Sequence, residues 1–129
     1  MNNLVFYKND RNRYQAGTGS SNLFILGQFF DDLGRGFGLS VIEELNDPSS
    51  EGCSGNKYNL DKVGENIIIN LQFFEELPDV IIPMADLIEL ITQWVEIIKR
   101  NPDEIVLIEK DGKYNLKPGP YTLVIHGEK

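Results

Sequence analysis

Carboxylates supply most of the chemistry that this sequence has to offer. Asp31-Asp32, Glu43-Glu44 and Glu75-Glu76 are adjacent pairs, and Asp47 and Asp79 follow closely behind the second and third. Such groups serve as acid/base catalysts, as ligands for a hard divalent cation, or as attractors of a basic partner. Adjacent residues on a strand point to opposite faces, and no Asp-x-Asp-x-Asp-Gly spacing of a calcium loop occurs. The spacing therefore does not converge on one ion. We read Asp31, Asp32, Glu43, Glu44, Asp47, Glu75, Glu76 and Asp79 as a partner-binding surface. The plainer account is that they keep the protein soluble.

Other reactive groups are few. The single histidine, His126, stands at the end of an apolar-polar alternation with no nucleophile spaced to use it. The single cysteine, Cys53, lies near Glu51, which would raise its pKa, and alone it makes no internal disulfide and no Cys-rich zinc site. Gly17-Thr-Gly19 and Gly34-Arg-Gly-Phe-Gly38 match no phosphate-binding fingerprint and read as turns. The sequence thus calls for no catalytic residue, no metal ligand and no cofactor.

Where the acids lie matters more than their number. The 129 residues carry a net charge of -8, but between Asp31 and Ile98 fourteen acids face three bases, a local charge of -11, while the flanks are slightly basic. A field of that sign repels nucleic acid and anionic membrane and steers a basic protein inward. No small-molecule ligand is indicated. Apolar residues accompany the acids in two strings of one pattern, Gln28-Phe-Phe-Asp-Asp-Leu33 and Gln72-Phe-Phe-Glu-Glu-Leu77. Side by side they would make an aromatic-acidic surface; otherwise their Phe residues are core.

The elements that must position these groups are legible in part. From Pro83 to Arg100, Met84, Leu87, Ile88, Ile91, Trp94, Val95 and Ile98 recur at helical spacing, with Pro83 at the start, Asp86 in the first turn and Lys99 and Arg100 in the last. Glu89, Thr92, Gln93 and Glu96 form its solvated face. Glu104 to Lys110 and Lys113 to Lys117 are strands joined by Asp111-Gly112, a type I′ hairpin turn, and Tyr121 to His126 alternates as a third strand. Asn66 to Phe74 is a half-buried strand, with Tyr58 to Leu60 a shorter one before it, and Asp47 to Asn56 is an exposed, mobile loop. Leu4 to Lys8 is a strand and Asn9 to Ser21 a polar loop. Leu23 to Phe30 fits either helix or strand, and Leu39 to Glu43 leans to strand.

With 41% apolar and 25% charged residues the chain has a soluble globular composition, and one domain over residues 1–129 is expected. Its longest apolar stretch, Met84 to Ile98, is shorter than the roughly 20 residues that span a bilayer and contains Asp86, Glu89 and Glu96. The N-terminus lacks a secretory signal pattern, so a cytoplasmic location is expected. The expected fold is α+β: a mainly antiparallel sheet of about five to seven strands, with the 83–100 helix packed on one face.

Over residues 65–117, the Ile82-Pro83-x-x-x-Leu87-Ile88 helix start, Trp94 and the short meander after it resemble the immunity proteins of bacterial polymorphic and contact-dependent growth inhibition toxins. That resemblance implies a bacterial, non-enzymatic protein that binds and neutralises a basic toxin nuclease domain. The alternative from another class is a small carboxylate-based enzyme, metal-dependent or acting on a small molecule. It requires a concave pocket that gathers three or more of Asp31, Asp32, Glu75, Glu76 and Asp79.

Overall fold

The computed structural model describes residues 2–74 and 76–126. In chain order the elements are β1 (Asn2–Lys8), β2 (Tyr14–Ala16), α1 (Ser21–Leu33), α2 (Gly38–Asn46), β3 (Gly52–Ser54), β4 (Tyr58–Val63), β5 (Asn66–Leu71), β6 (Val80–Pro83), α3 (Met84–Lys99), β7 (Glu104–Lys110), β8 (Lys113–Pro118) and α4 (Tyr121–His126). The strands form two four-stranded sheets, ordered β2-β1-β7-β8 and β3-β4-β5-β6, and every pairing is antiparallel. The mixed, antiparallel character agrees with the sequence. One sheet of five to seven strands under a single helix does not.

The division into two sheets follows from α1. Leu23, Ile25, Leu26, Phe29, Phe30 and Leu33 are all at most 1% exposed, and at helical pitch they spread over an arc of roughly 160°. A helix of that kind must be covered from more than one side, and α1 touches β1, β2 and β7 of one sheet and β4, β5 and β6 of the other. Its consecutive phenylalanines serve different sheets. Phe29 meets Tyr58 of β4 edge-on with centroids 4.7 Å apart, while Phe30 meets Phe6 of β1 at 6.4 Å and Trp94 of α3 at 5.1 Å. Gly27 lets the helix come close to the first sheet, because a Cβ there would lie 3.0 Å from a Leu4 methyl and 3.2 Å from Ala16 Cβ.

Helix α3 wedges beside α1, touching β8 of one sheet and β5 and β6 of the other. It therefore buries a wider stripe than a single face requires: Leu87, Leu90, Ile91, Trp94, Ile97 and Ile98, with Ile88 and Val95 half-buried. The Trp94 indole N–H donates to the carbonyl of Gly34, just past α1, at 2.8 Å. Pro83 ends β6 and caps α3 rather than beginning it.

Other departures have local causes. Residues 38–46 are helical because Val41 and Leu45, one turn apart, are the side chains that α2 buries. Residues 52–54 are a strand within the segment read as a loop, and Tyr14–Ala16 and Val80–Pro83 are short edge strands too brief to show a period. Residues 121–126 turn into α4 instead of a third strand. Pro118 ends the pairing, Glu104 accepts the Gly119 N–H at its carbonyl and the Tyr121 N–H at its carboxylate, and Val124 is buried by the α4–β7 packing. The Asp111-Gly112 turn has φ of 54° and 78°, as a type I′ hairpin needs.

All four edge strands carry an obstruction to further pairing. Along an edge, alternate residues turn their backbone groups away from the sheet. On β2 the outward Ala16 N–H donates to Asp31 Oδ2 at 3.1 Å, on β8 the Leu116 N–H donates to Gln93 Oε1 at 2.9 Å, and on β3 the Gly52 N–H donates to Ser50 Oγ at 3.3 Å. Pro118 and Pro83 stand one residue from the inward bonds Gly119 N–H to Glu104 O and Met84 N–H to Glu65 O, so each removes a donor from a free edge. Gln93, read from sequence as solvated, thus guards an edge.

Two outcomes test this account. Phe30→Ala empties the contact between α1, β1 of the first sheet and α3, and should lower the unfolding free energy by about 3 to 5 kcal/mol, read from the urea midpoint. Gln93→Leu combined with Pro118→Val reopens β8 and should introduce concentration-dependent self-association, measured by size-exclusion chromatography with light scattering against the parent chain.

Candidate functional site

The eight acids read as a surface divide into structural and free groups. Asp31 and Asp32 are neighbours on α1 and point about 100° apart, so each reaches a different sheet. Asp31 accepts the Ala16 N–H on β2 and a longer contact from Lys57 Nζ at 3.4 Å, and its side chain is only 20% exposed. Asp32 Oδ2 accepts the Lys57 backbone N–H at 2.9 Å, which holds the β3–β4 turn. Asp47 is bonded by the Ser49 N–H and hydroxyl, which hold its carboxyl below the usual range. Glu43 and Glu44 are exposed on α2, Glu76 and Asp79 are exposed in the β5–β6 connection, and Glu75 lies outside the described residues.

Where α2 packs against β3, a cleft of about 460 Å³ opens. Asp32 and Glu44 contribute carboxylates from two different helices, Phe37 a ring that is 63% exposed, and Cys53, Ser54 and Tyr58 line the strand side. Gly55 completes the turn. A Cβ there would fall 2.6 Å from Asp32 Oδ2 and 2.4 Å from the Tyr58 ring, so the chain needs glycine at that point of close approach. Among the described residues no Lys or Arg lines the cleft, and neither Asp32 nor Glu44 has an ion-pair partner.

The neutral groups of the cleft register that field. Burial pushes the Cys53 thiol upward and the Glu44 charge adds to it, against a smaller opposing influence of Lys62. The direction matches the sequence expectation, although the acid responsible is Glu44 rather than Glu51. Burial likewise drives the Tyr58 phenol well above its ordinary range, with Cys53 and Asp32 adding to the shift. Both groups stay protonated near neutrality, so neither supplies an anionic nucleophile. Among the described residues no group of three His, Cys, Asp or Glu side chains is placed to hold a metal ion. Of the five acids among which the enzyme reading needs three or more to converge, this cleft takes only Asp32.

The two Gln-Phe-Phe strings lie near each other but in unlike conformations. Phe29 and Phe30 are core residues of α1, whereas Phe73 is 76% and Phe74 40% exposed in the turn after β5. A hollow of about 210 Å³ joins Gln28 of the first string to Phe73 and Phe74 of the second, with Leu71 and Lys57. Gln72 pins the arrangement, donating from its side chain to the Gly55 and Tyr58 carbonyls and from its backbone to that of Lys57. The cleft and the hollow therefore flank the β3–β4 turn.

Bases gather elsewhere. Arg35 donates to the Asn12 carbonyl at 2.7 Å and to Asn101 Oδ1 at 2.7 Å, and covers the Tyr14 ring at 5.0 Å. Around that staple stand Lys8, Arg11, Arg13, Lys99 and Arg100, at the β1–β2 turn and the end of α3.

Sequence reasoning missed Phe37, Cys53 and Tyr58 as cleft residues. The available signal was Gly36-Phe37-Gly38, a large aromatic in a turn that cannot easily bury it. No helix among the described residues is long and apolar enough to cross a membrane. Comparisons with protein-family models, with curated proteins and with solved structures give no match.

The electrostatics of the cleft are open to direct measurement. The rate of Cys53 alkylation should rise at higher pH than for an exposed thiol. Glu44→Gln removes one upward influence and should move the profile towards lower pH, and an unmoved profile would place Glu44 away from the thiol.

Proposed function

We propose that this chain is a non-enzymatic binding protein that neutralises a basic protein partner, a toxin nuclease domain of the kind opposed by bacterial immunity proteins. One observation carries the reading. Free carboxylates and exposed aromatic rings flank the β3–β4 turn: Glu44 and Phe37 at the cleft on one side, with Glu43 next to Glu44 on α2, and Phe73 and Phe74 at the hollow on the other, with Glu76 two residues further along the chain. Aromatic anchors within a field of one sign suit an interface whose association is steered by charge and held by apolar contact. Cytoplasmic location belongs to the same proposal.

The obstructed edges direct recognition towards side chains, since strand addition would meet Asp31, Gln93, Ser50 or a proline at every edge. Within the eight-residue surface, Glu43, Glu44, Glu76 and Asp79 are the exposed acids without structural bonds among the described residues, and they carry the long-range attraction. Asp31 and Asp47 support the surface rather than form it.

Partner capture from a lysate of the source cell, followed by binding kinetics with the purified partner, tests this reading. The association rate should fall as salt rises, and the joint change of Glu43, Glu44, Glu76 and Asp79 to Gln or Asn should slow it at least about tenfold at low salt. An acidic partner, or an association rate indifferent to salt and to these changes, overturns it.

A further inference from the structure

We infer that the cleft between α2 and β3 receives one arginine side chain of the basic partner. This rests on the reading above and gives it a defined point of contact.

The cleft has the complementary parts of a guanidinium site. Asp32 uses Oδ2 on the Lys57 amide, which fixes the carboxylate and leaves Oδ1 to accept. Glu44 faces the same space from another helix, and its carboxylate has no hydrogen bond or ion pair among the described residues. Two acceptors on separate elements fit a planar fork with five donors better than they fit a single ammonium point. The exposed Phe37 ring adds a face on which a guanidinium stacks. Ser40 and Ser54 spend their hydroxyl protons on the Phe37 carbonyl and on Asn59 Oδ1, so towards the cleft they offer lone pairs. Asp32, Glu44, Ser40 and Ser54 offer acceptors, the donors of Tyr58, Cys53 and Asn56 are neutral, and among the described residues the walls contribute no cation of their own. A hard divalent ion is a poorer occupant because no third acid converges, and an anion is opposed by both carboxylates.

The site also explains why Asp32 is held so carefully. Gly55 makes room for its oxygen, and the Lys57 amide orients it. Its neighbour Asp31 is consumed by a strand edge and Lys57, and Lys57 Nζ also reaches Gln28, away from the cleft. The nearest lysine is thereby kept off Asp32, and the acid is left for an external cation.

Titration of the isotope-labelled chain with three capped tripeptides, Gly-Arg-Gly, Gly-Lys-Gly and Gly-citrulline-Gly, is the test. The arginine peptide should shift the amide signals of Ser40, Gly55 and Asn56 saturably. The lysine peptide should bind several-fold more weakly, and the uncharged citrulline peptide should leave these signals in place. Asp32→Asn and Glu44→Gln, which preserve shape, should each weaken the arginine peptide about tenfold or more, and Phe37→Ala about threefold. Glu89→Gln, on the far polar face of α3, should change nothing. Equal responses to arginine and citrulline, shifts confined to other regions, or binding indifferent to Asp32, Glu44 and Phe37 would each overturn the site. The two levels separate with Glu76→Gln/Asp79→Asn, which leaves the cleft intact. Slower capture of the protein partner by that variant, with no arginine-specific shift in the parent, would keep the recognition reading and remove the cleft from it.

Discussion

Everything in this fold depends on covering one helix. Helix α1 buries six large apolar side chains completely and leaves Phe24, Gln28, Asp31 and Asp32 half-buried, so it has little solvent side to give up. Each sheet, in turn, has one apolar face and too few strands to bury it alone. The two problems have a common solution, in which the helix lies between the sheets and the stack Tyr58, Phe29, Phe30, Phe6 and Trp94 runs through the molecule as a continuous row of ring contacts. Such contacts contribute about 0.5 to 1.5 kcal/mol each beyond the area they bury. Because Phe29 and Phe30 are consecutive, neither sheet can shift along the helix without disturbing the other.

That arrangement determines which acids are left for function. With the inner faces committed to α1, what remains exposed is the outer sheet faces, the strand edges, the turns and the polar faces of α2 and α3. The edges are obstructed partly by polar side chains borrowed from the helices, and Asp31 is one of them. Asp32 is held one residue further on by the other sheet. Glu43 and Glu44 sit on the part of α2 that the core does not use, since Val41 and Leu45 have already satisfied it. An acid therefore becomes available to a partner only where neither an edge nor a turn has claimed it. Adjacency in sequence says little about this.

The same logic marks what the sequence could disclose. Helix α3 was legible because Leu87, Ile91, Trp94 and Ile98 face the core while Glu89, Thr92 and Glu96 face water, and β5 was legible because Ile67, Ile69 and Leu71 alternate with half-exposed residues. Helix α1 was ambiguous because Leu23 to Phe30 is an apolar run interrupted only by Gly27 and Gln28, while Asp31 and Asp32, which complete its polar side, lie beyond that stretch, so the run itself shows no period. The short edge strands contain too few residues to alternate. The 121–126 alternation misled because Glu104 and Pro118 decide that segment from outside it. Of the site, the sequence showed the acids, but not the aromatic and thiol groups that pairing of β3 with β4 brings beside them.

The repeated Gln-Phe-Phe-acid-acid-Leu string shows how far context governs such groups. In α1 its phenylalanines bind the two sheets, its glutamine meets Lys57 and its first acid closes an edge. After β5, the same pattern begins at a strand end, so Gln72 turns back to hold the β3–β4 turn and the rings are turned out to solvent. One copy builds the platform and the other stands upon it. Exposing Phe73 sacrifices apolar burial that the core offers to Phe29, about 1.5 to 3 kcal/mol for a large side chain. Solubility alone would be served better by a polar residue there, and under the proposed recognition role the exposed ring beside a turn pinned by Asp32 and Gln72 recovers that burial against a partner.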